Sequence, residues 1–195
     1  MNFKKFYLTA CFALLMLFSG NLFAQIEGEE NDEAEEIVDM DERQELQDDA
    51  NKALEAFKAK EMSVQEYLNS AAGYAVFPNV GKGAWILGGA AGNGVVYEGE
   101  EVVGYAELRQ VDVGFQIGGQ AFREIIIFKT QEALDEFKDG NFEFEGSASA
   151  VIWDEGKGKA IQFQDDVGVA VMPKAGAMAG ISVGGQKFNY GAIDQ

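Results

Sequence analysis

From Asp41 onward, apolar residues recur at spacings of three and four: Leu46, Ala50, Ala53, Leu54 and Phe57. That narrow stripe predicts an amphipathic helix. Ser63-Val64-Gln65-Glu66 has the form of a capping box and predicts a second, short helix to about Ala71. Val64, Tyr67, Leu68 and Ala71 form its inward face, and Gly73 is placed to end it. After Gly73 the period changes. Short runs of Val, Ile, Phe, Tyr and Trp, broken by glycine or charge, predict strands at 74–77, 84–87, 95–98, 102–108, 111–117 and 123–128. Glu98-Gly99-Glu100 reads as the hairpin turn between the third and fourth of these. One helix interrupts, with Thr130 as N-cap, Ala133, Leu134 and Phe137 facing in, and Gly140 just past its end. Strands resume at 148–153, 160–164, 167–172, 179–183 and 187–190.

Glycine changes the picture most. Half of the 24 glycines fall between residues 73 and 119. Each one inside a regular element costs about 0.5–1 kcal/mol relative to alanine. Such a density points to tight bends or close backbone approach. There is also an internal echo. Residues 114–122, GFQIGGQAF, match residues 180–188, GISVGGQKF, and Ile86-Leu87-Gly88-Gly89 is a fainter third copy. Each reads as an alternating strand that meets a glycine pair at a tight turn or sharp bend. A duplicated half-barrel and coincidence among glycine-rich strands both account for the echo. The predicted fold is α+β: a mainly antiparallel β-sheet closed or nearly closed into a barrel, with N-terminal helices and one inserted helix. Gly118→Val or Gly184→Val is expected to destabilise more than a typical exposed strand change, by about 1–3 kcal/mol if the backbone there has positive φ.

The first residues read as a signal peptide. Lys4 and Lys5 form a basic start, residues 6–18 an apolar run, and Leu22-Phe23-Ala24 a cleavage site before Gln25. Leu8-Thr9-Ala10-Cys11 resembles a lipoprotein acceptor motif, but the apolar run continues past Cys11, so the cysteine reads as a chance member of that run. Residues 25–40 form an acidic leader. Low hydrophobicity and dense like charge predict disorder through Asp39. A solvated spacer is the plain reading. A weak divalent-cation buffer is the sharper one, although no spacing matches a calcium loop. Residues 41–195 are then a single domain, helical over 41–72 and β-rich over 73–190, long enough for a real core.

Composition excludes several chemistries. The chain has one cysteine, inside the expected signal peptide, and no histidine. The mature chain therefore has no disulfide, no Ser-His-Asp or Cys-His triad, and no zinc or haem site built on those ligands. No metal, cofactor or catalytic residue is expected. A carboxylate-based hydrolase remains conceivable, but no acid pair stands out. Asp112 and Glu124 are set deep in apolar runs and read as the solvent face of alternating strands; Asp165-Asp166 reads as an exposed turn. The formal net charge of −18 opposes nucleic acid and anionic membrane surfaces, so any anion must be met by a local basic spot.

Asn79-Val80-Gly81-Lys82-Gly83 is not a phosphate loop, because a strand follows Lys82 where the Walker pattern needs Ser or Thr and a helix. Residues 89–94, GAAGNG, fail the dinucleotide fingerprint. Lys82 has two readings, a contact for one anionic head group beside exposed backbone N–H groups, or a solvated lysine in a turn. Lys174 and Lys187 flank the final glycine-rich strands and would converge with Lys82 if the sheet closes. Aromatic residues on alternating strands are usually core. Trp85, Tyr97 and Phe115 are the candidates to line a cavity for an apolar ligand.

The block GYAVFPNVGKGAWILGGAAGNGVVYEGEEVVGYAE, its continuation VDVGFQIGGQAFREIIIFKTQEALDEFKDGNFEFEG, and the closing stretch KAGAMAGISVGGQKF resemble the SYLF domain family. Together they cover about residues 69–190 in the family's order, and the exported bacterial branch looks closest. The resemblance implies a lipid-binding module, with phosphoinositide and actin-regulating roles in eukaryotic adaptors. Two features depart from it. The region matching a basic, membrane-binding N-terminal segment is acidic here, and an exported protein would not meet actin. The expectation is therefore an exported protein, periplasmic or secreted, or associated with the envelope. It is not an enzyme; it binds a lipid or other amphiphile without catalysis, and neither nucleic acid nor actin is an expected partner. The alternative is a structural or protein-interaction module of the envelope, with an envelope protein as partner and no small ligand.

Overall fold

The apolar stripe of the first helix buries Ala50, Ala53, Leu54 and Phe57 against a β-sheet, and that contact organises one side of the protein. The computed structural model describes residues 40–81, 89–111, 121–140, 143–144, 150–153, 158–174 and 185–193. The expected signal peptide, its cleavage site and the acidic leader through Asp39 lie outside these, as do Lys82, Trp85, Asp112, Phe115, Gly118 and Gly184. Three helices are described: α1 (Met40–Lys60), α2 (Ser63–Ser70) and α3 (Gln131–Lys138). Among the described residues nine strands form one sheet: β1 (Gly73–Gly81), β2 (Gly89–Glu98), β3 (Glu101–Val111), β4 (Ala121–Phe128), β5 (Glu143–Phe144), β6 (Ala150–Ile152), β7 (Phe163–Gln164), β8 (Val167–Pro173) and β9 (Gln186–Ala192).

The sheet order is β5-β9-β3-β2-β1-β4-β8-β6, with β7 also pairing β8. Every pairing is antiparallel except that of β6 with β8. The expected barrel is not formed: among the described residues β5 and β6 end the sheet and do not pair with each other. The sheet instead curls. Phe188 on β9 meets Phe77 on β1 with ring centroids 5.7 Å apart, although β3 and β2 lie between them in the sheet. Gln186 on β9 donates from Nε2 to Glu124 Oε2 on β4 at 2.9 Å, reaching across one strand more. The bending that the glycine content predicts is present, then, without closure.

Curling gives the sheet two buried faces. The inner face collects Ala75, Phe77, Leu108, Phe122, Ile126 and Phe188, and α3 adds Ala133, Leu134 and Phe137 to it. The outer face carries Tyr74, Val76, Tyr97, Ile125 and Ile127 under α1 and α2. Gly94 shows why a side chain is excluded at some strand positions. A Cβ there would stand 2.6 Å from the Phe77 ring, closer than any real contact.

Local signals account for most element boundaries. Thr130 caps α3 as expected, its hydroxyl accepting from the Ala133 amide at 3.4 Å, and Gly140 follows with φ of +70°. Gly99, at φ +61°, makes the turn between β2 and β3, and Gly185 of the second glycine pair has φ +73°. The Ser63–Glu66 capping box is not formed. Ser63 is already the first helical residue, and its amide and hydroxyl both donate to Glu61 Oε1, at 3.2 and 3.0 Å. A carboxylate two residues earlier does the work expected of Ser63.

The exposed pair Asp165-Asp166 joins β7 to β8 with φ of 48° and 63°. Two residues in the left-handed region are the signature of a primed hairpin turn, which favours glycine at the second position. Asp166→Gly is expected to raise stability by about 0.5–1 kcal/mol, read as a shift in urea midpoint at constant slope. A loss of stability would show that the Asp166 side chain holds the turn.

Candidate functional site

Between α1, α2 and the β1–β2 pair lies a groove of about 540 Å³. That is within the range of about 300–1,000 Å³ typical of small-molecule sites. Its floor is made by Leu54 and Leu68 from the helices and by Tyr74 and Tyr97 from the strands. The two tyrosines are cross-strand partners, and their rings stack at 4.9 Å with 14° between planes. The amides Asn51, Gln65 and Asn69 stand around the rim with Glu55, Glu100 and Lys58. Lys58 already pairs with Glu55, Nζ to Oε1 3.1 Å, and Gln65 Nε2 donates to Asn69 Oδ1 at 2.9 Å.

Tyr97 is unusual among the buried phenols. The Tyr105 hydroxyl accepts from Gln47 Nε2 at 2.7 Å, and the Tyr190 hydroxyl donates to the Val103 carbonyl at 2.9 Å. The Tyr97 hydroxyl is buried with no hydrogen-bond partner among the described residues. Burial, reinforced by Tyr74 and Tyr105, pushes its pKa up, so it stays a neutral hydroxyl able to donate and accept. Burial and then Glu100 raise the neighbouring Tyr74.

A second polar feature lies on the inner face. Glu124 is fully buried, Gln186 joins it through the bond already described, and Gln110 is the cross-strand partner of Gln186. The expectation that Glu124 faces solvent is therefore overturned. β4 packs a core on each side, so no position along Ile125–Phe128 or at Glu124 has a wet face. Burial pushes the Glu124 carboxyl up to about 8, with the hydrogen bond from Gln186 pulling the other way. At neutral pH the group is largely protonated.

Of the expected site residues, Tyr97 lines the groove. Lys174 follows β8, donates from Nζ to Asn79 Oδ1 at 2.9 Å, and has its pKa lowered by burial and then Arg123, against Asp49. Lys187 is exposed on β9, opposite Arg109 and Glu143. In the order of the sheet β3, β2, β1 and β4 lie between their two strands. Among the described residues no cluster of acids could hold a metal ion, and no helix is long and apolar enough to cross a membrane.

The family model described as Ysc84, Las17-binding protein actin regulator, matches residues 109–190. Over these residues the chain is similar to the SYLF family. No curated protein matches the chain at a significant level. The SYLF match runs from the end of β3 to β9 and includes Glu124, Gln110 and Gln186. The groove residues 51–100 precede it, within and upstream of the segment that resembles the family by its motifs.

Proposed function

We propose that this chain is an exported, non-catalytic module that binds a lipid or other amphiphile in the groove between α1, α2 and β1–β2. Similarity to the SYLF family supports the lipid-binding class. The observation that carries the reading is the groove itself, with an apolar floor and a polar rim. Lys82, Lys174 and Lys187 are the cations proposed for head-group contact; none of them is among the described residues that line the groove. Since the net charge of −18 repels anionic surfaces, apolar burial at about 25 cal/mol per Å² supplies the affinity.

Co-sedimentation of the full chain with vesicles of zwitterionic and anionic lipid tests this. Binding is expected to both, changing by less than about threefold between low and high salt, because buried contacts are screened little. Absence from every vesicle pellet would favour the alternative, a protein-interaction module of the envelope. The description of the matched family, which names a protein partner, is what supports that alternative.

A further inference from the structure

We propose that Glu124 and Gln186 form a pH-operated latch across the open seam of the curled sheet: when Glu124 loses its proton, the seam between β9 and β4 parts and water enters the inner face. The inference is independent of the groove and of what binds there.

The first observation is what holds the seam. Among the described residues no strand ladder joins the two ends of the sheet, since β5 and β6 end it and do not pair with each other. Side chains span the curl instead: Gln186 Nε2 donates to Glu124 Oε2 at 2.9 Å, and Phe188 meets Phe77. These contacts can part while the ladders of β9 with β3 and of β4 with β8 stay whole, a local opening rather than unfolding.

The second is what faces Glu124. Its register partners are Phe77 on β1 and Val171 on β8, both in the inner core. Gln186 reaches it from β9, with buried Gln110 as its own partner on β3, and α3 adds Leu134 and Phe137 to the same core. None of these carries a charge. Arg123, next in sequence, contacts Met172 Sδ at 4.0 Å, beside the outer core. Lys187 and its partner Arg109 are exposed, Arg109 is bound to Glu107, and Glu143 of β5 is opposite Lys187. On α3, Lys138 pairs with Glu98, and Glu132, Asp135, Glu136 and Asp139 are exposed.

The third is the balance of donors and acceptors. An ionised carboxylate offers about four acceptor sites. Glu124 has one donor, Gln186 Nε2, while Glu124 Oε1 and Gln186 Oε1 are buried with no partner among the described residues. Protonated, the group is a neutral polar side chain in the core. Charged, it needs water or a cation, and parting the seam admits water without breaking a ladder. Burial, which pushes this carboxyl up to about 8, has the same physical origin. In the parted state the group meets water and returns towards its ordinary 4.5. The parted fraction therefore rises with pH, by up to about tenfold per unit between those values, and levels off above them.

Thiol labelling tests the latch, using the full chain with Cys11→Ser to remove the native thiol. Val171→Cys reports the inner face beside Glu124, Val169→Cys is a second inner reporter, and Ala170→Cys, on the same strand, reports the outer core. Each is labelled with iodoacetamide at pH 6 and pH 8, with and without Glu124→Gln, so that ionisation of the thiol cancels. From pH 6 to pH 8 both inner reporters should gain at least about tenfold in rate over their Glu124→Gln counterparts. At pH 8 they should also be labelled at least about tenfold faster than Ala170→Cys. Equal rates on the two faces would overturn the proposal, because opening would then be global unfolding. A rise with pH that is the same in both backgrounds would overturn it too, as would inner reporters that stay unlabelled at pH 8.

Discussion

Glu124→Gln should be more stable than the wild type at pH 8, and the difference between the two should shrink as the pH is lowered towards 4.5. In the native state burial holds the Glu124 carboxyl at about 8, against an ordinary value of 4.5. Between those values the folded protein keeps a proton that the unfolded chain has released. The contribution of this group is therefore fully present below about pH 4.5 and is lost as pH rises towards 8. The slope is at most about 1.4 kcal/mol per pH unit, so the whole effect is a few kcal/mol. Glutamine keeps the shape and cannot ionise. The general acidity of the chain acts on both proteins alike and cancels in the difference. Urea melts across the pH range measure it, and parallel curves for the two proteins would mean that Glu124 is not protonated in the fold.

Phe188→Ala should destabilise by about 3–5 kcal/mol, the usual cost of removing a buried phenylalanine. Phe188 is 1% exposed, and its ring meets Phe77 of β1 at 5.7 Å and Phe137 of α3 at 5.3 Å. It therefore joins β9, the helix and the far side of the curl in one contact. With total stabilities of about 5–15 kcal/mol, the variant stands near unfolding at ambient temperature. The exposed neighbour Asn189, replaced by alanine, should shift stability by less than about 0.5 kcal/mol. A Phe188→Ala cost below about 1 kcal/mol would show that the inner face is not a single cooperative core.

Local order was legible in the sequence, and tertiary placement was legible only in part. The stripe from Leu46 to Phe57, the Thr130 cap and the turn at Gly99 rest on neighbours within a few residues, and each was found where its pattern put it. Glu124 was misread because one polar residue beside Arg123 looks like an alternating wet face. The signal against that was adjacent: Ile125, Ile126, Ile127 and Phe128 are apolar on both parities, the mark of a strand buried on both sides. Glycine density gave the curl but could not give closure, which depends on what the edge strands meet. In the groove, Tyr97 stood out by its strand. Asn51, Gln65 and Asn69 did not, because an amide on a helix surface reads as solvated until another element is packed beside it.

The place of β9 in the sheet has a kinetic consequence. Strands β1, β2 and β3 are consecutive in sequence and pair as neighbours, but β3 finds its other neighbour only in β9, with Gly104 opposite Ala192 and Gln110 opposite Gln186. Until β9 has been made, β3 has an open edge and the aromatic cluster around Phe77 lacks Phe188. Closing so long a loop is slow relative to forming hairpins, and an unpaired edge invites pairing with other chains meanwhile. A chain stopped before Gln186 would thus be prone to self-association, whereas one that reaches β9 covers the edge and fills the core in the same event.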